Sequence, residues 1–269
     1  PNATATPTDA ERENALIGGA KLQLQLDQTA SKERKILSTR NFSTKAATNT
    51  LQQFSTENLA SMNLKKTDKA ASLLELLGYQ VKSTVGDDTS ISKAELDKTA
   101  GIRFGAVMHS TPMLLTNGGQ VTSENNVLGS KNRKDYILFG TTQGLLHVVD
   151  AETGVEKFAF VPNEMIEDQH LAFGDPNIPF LGRDKMFYGI DGQWTAYTEY
   201  VLDKDNKTLT VGAGRDNAVG TQLVYGGLRM GGRDYYALDL SDIDDPKLKF
   251  RISPSGACSA ENPLGCMGQ

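Results

Sequence analysis

The chain has 269 residues, 38% of them hydrophobic, and a formal net charge of −5 from 28 Lys and Arg against 33 Asp and Glu. That length fits one large domain or two medium ones. It contains no basic block and no apolar run near ~18 residues, which argues against a general nucleic-acid-binding face, a transmembrane helix and a signal peptide. The first residue is Pro1, so the chain reads as a piece of a longer or processed polypeptide.

Residues 1–101 are rich in Ala, Thr, Ser, Asn, Gln and Lys and are expected to form a mixed α/β or helical segment. Thr8 to Glu11 resembles a capping box opening a short helix that Gly18-Gly19 would end. Leu22, Leu24 and Leu26 alternate with polar residues, which predicts a strand over Lys21–Asp27, and Arg34–Thr39 is a second strand candidate. Ala70, Leu73, Leu74 and Leu77 fall at helical spacing and predict a helix over Asp68–Leu77, stopped by Gly78. Ser92 and Glu95 form a second capping box, predicting a short helix that ends at Gly101. The same residues imitate the end of a calcium loop, but half of the oxygen ligands such a loop needs are missing.

From Phe104 the pattern turns to strands. Val107–Leu115 reads as a strand whose Pro112 belongs at an edge, a bulge or the strand start. Asn117–Asn132 reads as a long, polar hairpin loop. Tyr136–Phe139, Leu145–Val149 and Glu156–Val161 read as three short strands, with Gly140, Gly144 and Gly154 expected at positive-φ turn positions. Asp150 is placed to accept N–H groups of the Ala151–Gly154 turn. Asn163–Asp184 then reads as a connection with a helical turn near Glu164–His170. Lys185–Ile190 is expected to start a second group of strands, and Asp203–Lys207 to be the turn of an inserted hairpin.

The unit recurs about 90 residues on. Gly226 to Gly232 stands for the first glycine turn, Tyr235-Tyr236-Ala237-Leu238-Asp239 for Leu146–Asp150, and Lys249 to Pro254 for Lys157 to Pro162. Gly227, Gly232 and Asp239 therefore take the turn roles of the second copy. Two copies of glycine turn, strand ending in Asp, turn and Lys-Phe strand predict a mainly β fold, a partial β-propeller of four-stranded antiparallel blades. The blades would span about residues 107–162 and 185–254 of a domain over 102–269. Two blades do not close a propeller, so the chain would end before closure.

Individual residues offer little chemistry. His109, His147 and His170 lie on separate elements without metal-ligand spacing, and the first two read as packing residues unless the fold brings them together. Asp203, Asp205 and Asn206, and likewise Asp242, Asp244 and Asp245, read as solvated turns rather than calcium loops. Trp194 reads as core or rim packing. Cys258 and Cys266 are close enough in sequence to form a local disulfide, which would imply an oxidising compartment. No catalytic, cofactor-binding or metal-ligating residue is assigned.

Four passages together resemble the PilC/PilY family of type IV pilus tip-associated proteins, at the start of their C-terminal propeller. Gly105 to Pro112 looks like the family's first strand, of Gly-Asp-Ile-Val-Asn-Ser-Thr-Pro type. Phe139 to Asn163 looks like its Gly-x-Leu-His-x-Phe-Asp-Ala-x-Thr-Gly-x-Glu-x-Phe-Ala-Phe-Val-Pro passage. Tyr188 to Gly192 and Gly226 to Asp239 match the two that follow. The resemblance implies a quinoprotein-like propeller in a secreted protein of the periplasm, outer membrane or pilus tip. It implies pilin or minor pilins and a host or abiotic surface as partners, and no catalysis. Calcium would bind a later blade, with no cofactor within this chain. The same blade pattern also resembles quinoprotein dehydrogenases, and a periplasmic assembly scaffold without a pilus link is the third alternative.

Overall fold

The structure, a computed structural model, describes residues 19–99, 101–174 and 187–254. The thiols Cys258 and Cys266 lie outside these residues, as do Thr8–Glu11. In chain order the described elements begin with α1 (Gly19–Thr29), β1 (Ile36–Asn41), β2 (Ala46–Phe54), α2 (Leu59–Met62), α3 (Leu73–Leu76), β3 (Tyr79–Val81) and β4 (Leu96–Lys98). Then follow β5 (Met113–Glu124), β6 (Val127–Gly140), β7 (Leu146–Asp150), β8 (Glu156–Val161) and α4 (Asn163–Asp168). The last are β9 (Trp194–Glu199), β10 (Val201–Leu202), β11 (Thr208–Thr210), β12 (Gly212–Ala213), β13 (Val219–Gly227), β14 (Tyr235–Asp239) and β15 (Lys247–Ile252).

The fold is mainly β. The three strands expected from Tyr136–Pro162 fall in β6, β7 and β8, and the strand expected over Val107–Leu115 begins only at Met113, as β5; together they form a consecutive antiparallel run, but the sheet does not stop at four. It has eight strands in the order β10-β11-β5-β6-β7-β8-β1-β2. Strand β1 lies parallel to β8, pairing Ile36 with Ala159 and Ser38 with Val161, so the N-terminal segment extends this sheet. The second sheet has five strands, with β9, β13, β14 and β15 as an antiparallel run and β12 on the end of β13. The inserted hairpin around Asp203–Lys207 joins the first sheet instead, where β11 pairs with β5.

The core lies where the two sheets and the short N-terminal helices meet. Phe54, Phe158, Phe160 and Phe173 are buried from one side, and Trp194, Val224, Tyr236 and Leu238 from the other. The Phe160 and Tyr236 rings meet edge-on at 5.3 Å between centroids, a favoured aromatic arrangement.

Several local expectations change. Lys21–Asp27 is helical, within α1, and not a strand. Its Ala, Leu, Gln and Lys residues are strong helix formers, and only Leu24 is buried, so the alternation of leucines does not face a core. The helix expected over Asp68–Leu77 is a 3-10 turn, Lys69–Ser72, followed by the single α turn of α3. The Ser72 hydroxyl donates to the Lys69 carbonyl there, and Gly78 ends the segment at φ +82°. Ser92 and Glu95 do make a capping box, but the chain leaves it as strand β4, paired with β3, because strand pairing outweighs local helix preference.

The Asn117–Asn132 stretch is not a loop. It forms most of a long two-stranded ribbon, β5 and β6, turned at Asn125-Asn126 with φ of +52° and +63°. Two successive left-handed residues are what a tight hairpin turn matched to strand twist requires, and Asn tolerates them. Of Lys185–Ile190, the described part is not a strand. Gly189 turns at φ +62°, and the Ile190 N–H goes to the Thr141 carbonyl rather than to a neighbouring strand. The second sheet starts at Trp194.

Candidate functional site: the seam between the sheets

Among the residues expected at turns, Gly144 and Gly154 have φ of +88° and +74°. Gly140 does not have a positive φ. It is required by proximity, since a Cβ there would fall against the Ile190 carbonyl. Asp150 Oδ1 accepts from the Glu152 and Thr153 N–H groups and the Thr153 hydroxyl, at 3.0, 2.8 and 2.8 Å. These bonds outweigh burial and hold its carboxyl below the usual range. Asp239 accepts from the Ser241 N–H and hydroxyl in the corresponding place. Gly227 lies against the Tyr235 ring, and Gly232 against the Glu164 carboxylate.

These turns surround one seam. The loop Gly189–Gly192 threads between the end of the first sheet and the end of the second, with no room for a side chain at either glycine. A Cβ on Gly231 would meet the Gly189 carbonyl, and one on Gly192 the Gly227 carbonyl. Gln169 ties both sides, with its Nε2 donating to the Gly231 carbonyl and its Oε1 accepting from the Gly189 N–H. The segment before β5 closes the same seam. Ala106 and Thr142 exchange hydrogen bonds, and the Ser110 hydroxyl accepts from the Gly140 N–H at 2.8 Å. All four sequence passages therefore converge on one place.

Asp191 sits in that seam with its carboxylate out of contact with water. His109 Nδ1 lies 2.7 Å from its Oδ1 and Arg229 Nη1 donates to its Oδ2 at 2.9 Å. The two donors are about half exposed, at 49% and 53%. Arg229 takes this position at φ +52°, a conformation that costs a non-glycine residue about 1–2 kcal/mol. Charge-assisted bonds to a desolvated carboxylate offset that cost. Met108 and Met230 are exposed beside these residues in sequence. The result is an exposed Arg229 guanidinium over a buried carboxylate, with exposed methionines next in sequence to both partners.

A second cluster is closed to solvent. Arg34 Nε donates to Glu156 Oε1 at 2.5 Å and its Nη2 to Oε2 at 2.8 Å. His147 Nδ1 lies 2.7 Å from Glu156 Oε2, its Nε2 lies 3.2 Å from the Thr141 hydroxyl, and its ring stacks on Phe104 and Phe139. Burial pushes the Glu156 carboxyl up, but the Arg34 charge and the hydrogen bonds from Arg34 and His147 outweigh it and hold it at about 2. Burial pushes the His147 imidazole below its ordinary value against the pull of Glu156. A neutral imidazole that donates from Nδ1 and accepts at Nε2 satisfies both contacts. The cluster ties the N-terminal segment to β7 and β8.

His109 and His147 thus have separate carboxylate partners and do not form one site. His170 is partly buried on a 3-10 turn. Among the described residues no group of three or more His, Cys, Asp or Glu is arranged to hold a metal ion. Asp205 accepts from the Lys207 and Thr208 N–H groups, which makes a hairpin turn. Asp244 and Asp245 pair with Lys157 and Lys247. Trp194 is buried, with its ring against Gly226. Sequence reasoning missed Asp191 and Arg229 as partners of His109. Each lies inside a matched passage, but only the fold brings the passages together.

No family profile matches this chain, and no solved structure matches it. It is 27% identical over 163 residues to the type IV pilus biogenesis factor PilY1 of Pseudomonas aeruginosa, which covers 56% of this chain. It is 28% identical over 212 residues to a PilY1 homologue of Xylella fastidiosa, covering 74%. The matches span 12% and 15% of the length of those relatives. On these two similarities the chain is related to the PilY1 family of type IV pilus biogenesis factors.

Proposed function

We propose that this chain is part of a type IV pilus biogenesis and tip adhesion protein that acts by binding rather than catalysis. The similarity to two PilY1 proteins is the observation that carries this. Its surroundings would be the periplasm, the outer membrane or the secreted pilus tip, and its partners pilin, minor pilins or a host or abiotic surface. Calcium would enter through a later part of the whole protein, and no cofactor is assigned within these residues.

We extend the same reading to the fold, as the first part of a quinoprotein-like β-propeller over residues 102–269, with residues 1–101 preceding it. The second sheet supports this through its outward face. Tyr197, Tyr235, Phe250 and Ile252 remain 53%, 46%, 42% and 41% exposed on one side, while Val224, Tyr236 and Leu238 on the other are buried. Contiguous apolar sheet faces are normally covered, and a further sheet about 10 Å away would do so. A quinone enzyme would want an aromatic platform open to the cofactor, and Trp194 is packed in the core. Antibody to this chain should detect the protein in sheared pilus fractions of the bacterium that encodes it. Detection only in cytoplasmic fractions would overturn the proposal.

A further inference from the structure

The β5–β6 ribbon runs on past the sheet that anchors it. Strand β11 covers β5 only at Gly118–Gln120, and β7 begins to pair with β6 only at Tyr136. Among the described residues no strand pairs with the edge of β6 away from β5 between Val127 and Lys134, and every residue there is exposed. The far end of the ribbon carries Val121, Val127 and Leu128 at 58%, 68% and 77% exposure. A ribbon kept apart from partners would place polar groups there, because an exposed strand edge with apolar side chains is a template for pairing. Nearer the sheet, Ser130 to Lys134 holds Lys131, Arg133 and Lys134, three cations in five residues of a chain whose net charge is −5. Arg133 is paired with Asp135, while Lys131 and Lys134 make no ion pair among the described residues.

The two halves of this edge differ. Lysines and a bulge are how natural edge strands resist unwanted pairing, and here Asn132, at φ +52°, sits between Lys131 and Arg133 where the register shifts. The inner half is therefore guarded by charge. The outer half, Val127–Ser130, carries no charge at all. An edge that is open and apolar at one end and cationic at the other selects its partner by charge. Insertion of the tip into a lipid surface is disfavoured, since Glu124, Asn125 and Asn126 form its extreme end.

We infer that the free edge of β6 is a strand-addition site for an extended segment of a partner protein that presents apolar and acidic side chains. Backbone hydrogen bonds along Val127–Ser130 supply the docking, Leu128 and Val127 lose exposure, and Lys131 and Lys134 meet the partner's carboxylates. This rests on the binding reading only in that the protein works by contact, and not on the pilus assignment.

The test measures fluorescence polarisation of two labelled octapeptides, alternating valine with glutamate or valine with lysine, against the purified chain. The glutamate peptide should bind at least tenfold more tightly. Leu128→Ser should weaken it about tenfold, the loss expected when a buried leucine side chain is removed from a contact. The double change Lys131→Glu with Lys134→Glu should reverse the preference between peptides. All three positions are exposed, and unchanged Trp194 emission shows that each variant remains folded. Equal binding of the two peptides, or insensitivity to Leu128→Ser, overturns the inference. So does preferential binding to phosphatidylglycerol vesicles, or self-association abolished by Leu128→Ser. Any of these results leaves the presence of the protein in pilus fractions a separate question.

Discussion

At the scale of single residues, the buried Arg34–Glu156–His147 cluster is where charge matters most. Removing one member of a buried pair strands the other in a medium that cannot solvate it. Glu156→Gln or Arg34→Met should therefore cost about 3–5 kcal/mol, read as a shift in the denaturation midpoint. The double variant Arg34→Met with Glu156→Leu should cost less than the sum of the two, because no lone charge remains. Acid should act through the same residues. Glu156 titrates at about 2 when folded and near ~4.3 when unfolded. Its stabilisation is complete above ~4.3 and disappears as pH falls through 2. His147 is also lowered on folding, so its share is complete above ~6.5 and declines as pH falls below that. Urea midpoints should drop steadily from pH 7 downward, and His147→Gln should remove the part between pH 7 and 5.5. A midpoint that rises on acidification would contradict this assignment.

At the scale of elements, the seam shows how far a local pattern can be read. Asp150 and the glycines at 144 and 154 perform local roles, so their spacing along the chain already describes them. Gly140 serves a contact with Ile190, 50 residues away, and no local signal distinguishes it from a turn glycine. The same holds for the ribbon. Polar residues from Asn117 to Asn132 look like a loop because both faces of the projecting strands meet water, which removes the alternation that marks a strand. Strand β1 pairs in parallel with a strand more than 100 residues later, and period and turn signals do not specify such a partner. His109, Asp191 and Arg229 were in view as parts of matched passages, but their meeting depends on three loops at once. The seam itself is testable. Gly226→Ala would push a methyl group into Trp194, the only tryptophan, and should destabilise by about 1–3 kcal/mol with a visible change in tryptophan emission. Unchanged emission and stability would show that the ring does not pack there.

At the scale of the whole molecule, two sheets of eight and five strands share one core and leave an aromatic face of the smaller sheet open. The repeat in the sequence anticipated two antiparallel runs and their order. It did not anticipate that strands from the N-terminal segment and from an inserted hairpin would widen the first. The Arg34–Glu156 pair is buried, while the half-exposed His109 and Arg229 at the seam and the open ribbon edge face outward. Membership of a pilus system is the central claim, and deleting the encoding gene tests it most directly, by counting surface pili and measuring twitching with and without the restored gene. Loss of both, recovered on complementation, is the expected result; normal piliation and twitching in the deletion strain would contradict it.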